Sequence, residues 1–403
     1  MSMDRVLVIP GSASQIPLIK KLKKDDYEVV CVNPDTEALG IQLADYRVEG
    51  DILDKDNCAR VGKCYGVKAV VSDECDIAMP VVAYLGEKLG LSTLTGKDAE
   101  LYTDKTKMRS FCQENGFACP EFQACHTVEE AVHFWRAHGF KKMIIKPIDS
   151  NSSRGVFTVC SEEELKSKFS ESMSFSRKEK IVLCERYIEG VEFTVDGIMT
   201  GNKHYSLAIS EKKHYQYNPN IACELFFSYK NPIFDYDQLR KINDVYVEKT
   251  QLKFGFTHAE YKYENGIYYL IEIGARGGGN FISSHIVPLL TEFDNYEYLI
   301  KRSLGKEYRL ENINFWPDKE RCAVLKFFDV DEEGYVKEID NLDLLLNNPK
   351  VILYEFRFKK GDYISKAEND SKRVGFYIAW EENDEKLRKL MQVIEEKVKI
   401  RVR

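Results

Sequence analysis

Two glutamates and an arginine are the residues whose spacing most directly suggests chemistry in this chain. Glu260 and Glu272 flank the segment Glu264-Asn265-Gly266, and Arg276 lies four positions after the second glutamate. Aromatic and β-branched residues fill both arms, so the segment predicts a β-hairpin. A carboxylate is costly to bury without a partner. Two acids and a cation that converge at one end of a sheet therefore indicate a site for a metal ion and a phosphate.

The length of the turn decides whether the two glutamates share a face of the sheet. A two-residue Asn265-Gly266 loop would place Glu260 opposite Ile271 and would send Glu272 to the other face. A three-residue loop with Gly266 as a G1 bulge would bring both acids to one face, roughly 7–8 Å apart. The metal hypothesis therefore predicts the three-residue loop and a positive φ at Gly266. The alternative is an Asn-Gly hairpin that carries two unrelated exposed acids.

Composition limits the classes of function. The chain has 403 residues, of which 44% are hydrophobic and 31% charged, so a globular protein of two or three domains is expected. The net charge of −7 argues against general affinity for nucleic acids or membrane surfaces. Eleven cysteines without C-x-x-C spacing indicate reduced thiols and a cytoplasmic location. The apolar runs are too short for a signal peptide or a membrane span.

Three regions are predicted from the order of strand and helix patterns. Residues 1–95 alternate strands and helices, which indicates a Rossmann-like domain with a parallel sheet. Residues 96–308 carry the residues described above, and residues 309–403 predict a small mixed C-terminal α/β domain. The predicted fold class is α/β and α+β multidomain. The first strand is followed by Pro10-Gly-Ser-Ala-Ser14, which is not the G-x-G-x-x-G pattern of dinucleotide-binding proteins.

Two lysines and a polar loop could provide the positive charge that a nucleotide phosphate requires. Lys105 opens a predicted helix, Lys146 ends a predicted strand, and the loop 149–155 is small and polar. A lysine ammonium serves as a point charge for phosphate, and such a loop can donate backbone N–H groups. Alone, either lysine could equally be a solvated surface residue, and the loop a flexible hairpin.

Taken in chain order, these motifs resemble the ATP-grasp superfamily over essentially the whole chain. The motifs are Asp104-Lys105, Ile145-Lys146-Pro147, Ser152-Ser-Arg-Gly-Val156, Glu185-Arg-Tyr-Ile188-Glu-Gly-Val-Glu192, Glu260 and Glu272-Ile-Gly-Ala-Arg276. The layout resembles the branch that contains biotin carboxylase, phosphoribosylamine–glycine ligase and the L-amino-acid ligases. The resemblance implies a Rossmann-like pre-ATP-grasp domain, a two-subdomain ATP-grasp core with a lid at about 112–190, and the C-terminal domain.

The resemblance also implies roles for individual residues. Lys146 and Arg276 are expected to be catalytic, and Glu260 and Glu272 to bind Mg²⁺, with Mn²⁺ as an alternative. The strand 185–188 is expected to read adenine, with Glu185 accepting from its amino group. Residues expected to contact ATP are Lys105, Lys146, Ser152, Ser153, Arg154, Gly155, Val156, Glu185, Tyr187, Ile188 and Glu192. Many relatives carry Glu-x-Asn where this chain has Gly274.

The implied function is an ADP-forming ligase that joins a small-molecule carboxylate to an amine through an acyl phosphate. Alternatives are phosphoribosylamine–glycine ligase or a related purine-pathway enzyme, a nucleotide-binding module without turnover, and a nicotinamide oxidoreductase. A homodimer is a family-level expectation. His214, His285 and Arg373 are candidates for contact with a second substrate.

Overall fold

A parallel sheet forms the N-terminal part of the protein. The computed structural model describes residues 3–150, 153–177, 179–310 and 313–403. The sheet has the order β3-β2-β1-β4. Its elements are β1 (Arg5–Val8), α1 (Ile16–Lys24), β2 (Glu28–Asn33), β3 (Tyr46–Glu49), α2 (Lys55–Tyr65), β4 (Ala69–Val71) and α3 (Met79–Leu89). The apolar run Val6-Leu-Val8 is fully buried, as expected for a central strand of a parallel sheet.

A small antiparallel sheet follows, at the position of the predicted lid. Its strand order is β5-β8-β6-β7, and two helices pack against it. The elements are α4 (Gly96–Leu101), α5 (Lys105–Asn115), β5 (Phe122–Cys125), α6 (Val128–His138), β6 (Met143–Pro147), β7 (Phe157–Val159), α7 (Glu162–Ser174) and β8 (Val182–Arg186). Asp104 caps α5 by accepting from the backbone N–H groups of Thr106 and Lys107, which places Lys105 at the first helical position.

A large antiparallel sheet forms the centre of the molecule. Its order is β13-β12-β9-β10-β11-β14-β18-β16. The elements up to residue 303 are β9 (Val191–Thr200), β10 (Lys203–Tyr215), β11 (Asn218–Phe227), α8 (Tyr236–Thr250), β12 (Phe254–Glu264), β13 (Ile267–Gly274), α9 (Val287–Thr291) and α10 (Asn295–Ser303). The remaining elements are β14 (Cys322–Phe327), β15 (Gly334–Asp340), α11 (Asp343–Leu346), β16 (Val351–Phe356), β17 (Tyr363–Ile364), β18 (Gly375–Glu381), α12 (Asp384–Lys397) and β19 (Lys399–Val402). The central sheet therefore continues from the middle of the chain into its C-terminal residues.

The fold class agrees with the prediction, since a Rossmann-like sheet, a lid sheet and a mixed C-terminal part are all present. The division at residues 95 and 308 stays a prediction. Within the described residues, no helix combines the length and the apolar character that a membrane crossing requires.

The turn between β12 and β13 differs from the prediction. Glu264 pairs with Ile267, so the loop has two residues, and Asn265 and Gly266 have φ of 51° and 88°. The predicted three-residue loop is therefore wrong, although the positive φ at Gly266 is confirmed. Asn-Gly suits the two-residue turn because both positions need positive φ.

A β-bulge brings the two glutamates together in spite of the short turn. The register shifts between Glu260 and Tyr261, so that Tyr261 pairs with Leu270 and Glu260 pairs with Glu272. Ile271 is the extra residue, and an extra residue returns the following side chain to the opposite face. The two acids therefore share a face as directly paired residues, which is closer than the predicted diagonal.

Candidate functional site

A cleft of about 340 Å³ lies where the lid, the central sheet and the N-terminal segment 74–76 meet. Of the predicted residues 153–156, Ser153 and Val156 line the cleft, whereas Arg154 and Gly155 do not. Ser152 lies outside the described residues. The other predicted residues that line the cleft are Lys105, Lys146, Glu185, Tyr187, Ile188, Glu192, Glu260, Glu272 and Arg276. The fold thus brings nearly all of the predicted residues to one place.

The paired glutamates are each neutralised by a lysine. Lys212 Nζ lies 2.8 Å from Glu260 Oε1, and Lys105 Nζ lies 2.8 Å from Glu272 Oε1. Acids that face each other directly across two strands repel, so the lysines stabilise the pair. The side chain of Glu272 stays 37% exposed while that of Lys105 is 5% exposed, so carboxylate surface remains open to the cleft.

The donor set of this pair fits Mg²⁺. Mg²⁺ is usually held by one or two carboxylates together with phosphate oxygens and water. No group of three or more potential metal-ligating side chains occurs in the parts of the chain that the structure describes. Glu260 and Glu272 therefore match an ion that depends on substrate oxygens, rather than one held in a cage made only by protein.

Glu185 holds Lys146 at the end of β6. The carboxylate of Glu185 is 2% exposed, with Lys146 Nζ at 2.7 Å from one oxygen and Arg109 Nε at 2.6 Å from the other. Each oxygen thus already has a cationic partner, which favours a role in positioning Lys146 over the predicted contact with adenine. Arg109 was missed from the sequence, where it reads as an ordinary polar helix residue.

Burial and neighbouring charges shift the pKa values of Lys146 and Glu185. Burial lowers the pKa of Lys146 most strongly, and Glu185 opposes that effect while Arg109 lowers the pKa further. Burial would raise the pKa of Glu185, but Arg109 and Lys146 outweigh it and hold that pKa below its usual value. Glu185 is therefore ionised at neutral pH, and it supports the charged form of Lys146.

Glu192 belongs to a second charged group at the same wall of the cleft. Lys212 Nζ lies 2.6 Å from Glu192 Oε1, and His214 Nε2 lies 3.3 Å from Oε2. Burial opposes ionisation, yet Lys212 and His214 lower the pKa of Glu192. Because Lys212 also contacts Glu260, it joins the predicted ribose-binding acid to the predicted metal-binding acid. Its alternation with Ser210 and His214 on β10 is the signal that could have revealed it.

Arg276 is held by an acid from the N-terminal part of the chain. Its Nε lies 2.9 Å from Asp76 Oδ1 and its Nη2 lies 2.8 Å from Asp76 Oδ2, a bidentate pair. Burial alone would lower the pKa of Arg276, but Asp76, with Glu272 and Glu260, raises it. This aspartate lies 200 positions away from Arg276 in the sequence.

Gly274 leaves room for this ion pair. A Cβ atom at this position would lie 2.8 Å from Asp76 Oδ1 and 3.4 Å from Arg276 Cγ. An asparagine at this position would therefore displace Asp76.

The glycine run after Arg276 is fixed by two further acids of the N-terminal part. Asp73 accepts from the N–H of Gly277 at 3.0 Å, and Glu74 accepts from the N–H of Phe281 at 2.9 Å.

Of the three candidates for a second-substrate contact, His214 and Arg373 line the cleft and His285 does not.

Comparisons with known proteins agree with this geometry. The ATP-grasp domain family matches residues 140–284, and the L-amino acid ligase C-terminal domain 2 family matches residues 326–403. Dapdiamide A synthase of Enterobacter agglomerans is 25% identical over 156 residues, which are 38% of this chain and 37% of that protein. The match thus spans about a third of the length of this curated relative.

Solved structures share the fold along the whole chain. L-amino acid ligase from Bacillus licheniformis superposes with a TM-score of 0.82 at 19% identity, covering 100% of both chains. The biotin carboxylase domain of 2-oxoglutarate carboxylase from Hydrogenobacter thermophilus, in complex with MgADP, ADP and bicarbonate, gives a TM-score of 0.77 at 16% identity. That match covers 100% of this chain and 91% of the other. The chain therefore contains an ATP-grasp domain at residues 140–284 and an L-amino acid ligase C-terminal domain at residues 326–403, and along its whole length it shares the fold of L-amino acid ligase.

Proposed function

We propose that the protein is an ADP-forming ligase that joins a small-molecule carboxylate to an amine. The observation that carries the proposal is the direct pairing of Glu260 with Glu272 in a cleft that also contains Lys146 and Arg276. Two acids with open carboxylate surface, beside cations from separate elements, form a clamp for a nucleoside triphosphate and its metal ion. The similarity to L-amino acid ligase and to dapdiamide A synthase supports the same class of reaction.

The reaction proceeds in two steps. The γ-phosphoryl group of ATP passes to an oxygen of the substrate carboxylate, giving an acyl phosphate and ADP. The amine then attacks the acyl carbon, and phosphate leaves as the C–N bond forms. No side chain of the protein needs to act as a covalent nucleophile, so positioning and charge stabilisation carry the catalysis.

Each charged residue has a distinct part in these steps. Lys105 and Lys146 bind phosphate oxygens as ammonium ions, and Glu185 keeps Lys146 oriented and charged. Arg276, held by Asp76, stabilises the charge that develops on the transferred phosphoryl group. The lid sheet covers the phosphates and excludes water, which would otherwise hydrolyse the acyl phosphate.

Glu260 and Glu272 would hold Mg²⁺, which when bound neutralises charge on the phosphate oxygens. The MgADP complex of the biotin carboxylase domain supports this assignment by analogy.

The test measures ADP and phosphate release from Mg-ATP with a panel of carboxylate and amine pairs, with products identified by mass spectrometry. Wild-type protein should release ADP only when both partners are present. Glu272→Gln should lower turnover by roughly 10²–10³-fold and weaken the binding of Mg-ATP more than that of metal-free ATP. Glu338→Gln, on β15 and away from the cleft, is the matched control. Binding of ATP without turnover under any pair would contradict the proposal and favour a nucleotide-binding module.

A further inference from the structure

A buried arginine lies at the end of the cleft remote from the paired glutamates. Arg373 is 7% exposed, and its guanidinium carbon stands 3.8 Å above the ring centre of Phe327. It forms an ion pair through Nη2 with Asp370, and all three residues line the cleft. The steps described above for phosphoryl transfer do not use Arg373.

The guanidinium of Arg373 has unused capacity for hydrogen bonding. Asp370 is contacted through Nη2, whereas the buried Nε–H has no hydrogen-bond partner within the described part of the chain. A guanidinium can bind a carboxylate or phosphate through two parallel N–H groups. The ion pair with Asp370 therefore leaves the Nε–H group of Arg373 unused. Ser153 of the lid donates to the second oxygen of Asp370 at 2.6 Å. This hydrogen bond occupies the carboxylate oxygen that Arg373 Nη2 does not contact.

The wall around Arg373 is apolar. Leu225 on β11 and Leu325 on β14 pair directly across the sheet, and both line the cleft together with Phe327 and Ile282. An arginine among such side chains is poorly hydrated and binds an anion more strongly than an exposed one would. A ligand that suits this region has an apolar portion and an oxyanionic group.

The position of Arg373 separates it from the site of phosphoryl transfer. Phe327 lies on β14 and Glu260 on β12, and β9, β10 and β11 stand between these strands. Neighbouring strands are about 4.8 Å apart, so four steps correspond to roughly 15–19 Å across the sheet. An anion bound over Phe327 at Arg373 therefore lies across the sheet from the paired glutamates.

We propose that Arg373 binds an oxyanionic group, carboxylate or phosphomonoester, which one of the two substrates carries in addition to its reacting group. This inference rests on the proposed ligase function and specifies its substrates: one of them is bifunctional and elongated, with an apolar portion next to Leu225 and Leu325. Binding energy from this remote group is available equally in the ground state and the transition state, so it lowers KM.

The test compares Arg373→Met and Arg373→Lys with wild type, using substrate pairs that differ in one group. For each pair that the wild type turns over, three analogues are measured: one with a remote carboxylate, one with a phosphomonoester in its place, and one with an uncharged amide. We expect Arg373→Met to raise KM for the preferred anionic analogue about 10- to 100-fold while kcat changes little. Arg373→Lys should recover part of the loss, and the amide analogue should respond little to either change.

Arg388→Met is the matched control, because Arg388 also lies over a phenylalanine ring, at 4.4 Å from Phe226, and pairs with Asp384 away from the cleft. Thermal unfolding and ATP binding of each variant establish that the fold is intact. Wild-type preference for the carboxylate or for the phosphomonoester identifies the source of the oxyanion. Turnover with equal KM values in wild type and Arg373→Met overturns this inference alone. Absence of turnover with every pair in wild type overturns the ligase function, and this inference with it.

Discussion

At the scale of single residues, Gly274 and Asp76 depend on each other. The absence of a side chain at position 274 leaves room for a carboxylate from the N-terminal part of the chain. That carboxylate, of Asp76, accepts hydrogen bonds from both Nε and Nη2 of Arg276. Asp76, which fixes Arg276, therefore occupies space that an asparagine at position 274 would need.

An asparagine at position 274 should therefore lower both the stability and the activity of the protein. In Gly274→Asn the new Cβ would meet Asp76 Oδ1 at 2.8 Å, so Asp76 must move and Arg276 loses its bidentate partner. We expect a loss of about 1–3 kcal/mol in the free energy of unfolding and a decrease in turnover. Urea denaturation and ADP release measure the two effects. Gly96→Asn, where a Cβ would meet open space, is the control. Faster turnover in Gly274→Asn would show that the amide, and not the ion pair, is what the site lacks.

Lys146 gives the site a predictable dependence on alkaline pH. In the proposed role of Lys146 only its ammonium form binds phosphate, and burial lowers the pKa of Lys146 below the ordinary 10.5. Affinity for ATP should therefore be full below the pKa of Lys146 and fall as the pH rises through it, at a lower pH than for an exposed lysine. Because Glu185 raises that pKa, Glu185→Gln should move the alkaline decline of kcat/KM for ATP to still lower pH. Glu189→Gln, which removes the exposed partner of Lys142, should leave the profile unchanged. A decline that stays in place in Glu185→Gln would exclude Lys146 as its source.

At the scale of secondary-structure elements, the hairpin of β12 and β13 shows how a local rule and a tertiary requirement combine. Asn265-Gly266 favours a two-residue turn, and without the bulge that turn would separate the acids. The bulge at Ile271 restores their shared face, and Arg109 donates to the carbonyl of Ile271 at 2.6 Å. The same arginine holds Glu185, so one buried side chain connects the lid strand β8 with the hairpin that carries the proposed metal-binding acids.

The hairpin also shows which features of the site could be predicted from the sequence and which could not. Strand patterns and the chain order of charged motifs were sufficient to predict the fold class and to gather most cleft residues. The bulge could not be predicted, because Ile271 differs in no local property from its neighbours in the strand. Asp76 and Arg109 could not be predicted because their partners are distant in sequence, and only the folded chain brings the charges together. Lys212 was missed although its alternation with Ser210 and His214 on β10 is a local signal.

At the scale of the whole molecule, the central sheet contains strands from two regions, 96–308 and 309–403, that the sequence predicts as separate domains. Strands β14, β18 and β16 follow β11 in the sheet, so residues beyond 308 complete the sheet that carries Glu192 and Glu260. The lid differs in this respect. Its four strands form a sheet of their own, with a separate group of buried apolar side chains that includes Trp135 and Phe169.

These two arrangements predict opposite outcomes for two deletions. A chain that ends at residue 310 should fail to fold to a soluble monomer, because β11 would lose its partner β14 and expose Phe226 and Phe227 along an unpaired edge. A chain in which a short Gly-Ser linker replaces residues 120–187 should keep a cooperative thermal transition, since the central sheet remains complete. Circular dichroism, size-exclusion chromatography and thermal unfolding distinguish the two variants. The lidless variant should lose ATP binding, because Lys146 and Glu185 are gone. A soluble, cooperatively folded chain of residues 1–310 would show that the C-terminal residues form an independent domain attached to a self-sufficient sheet.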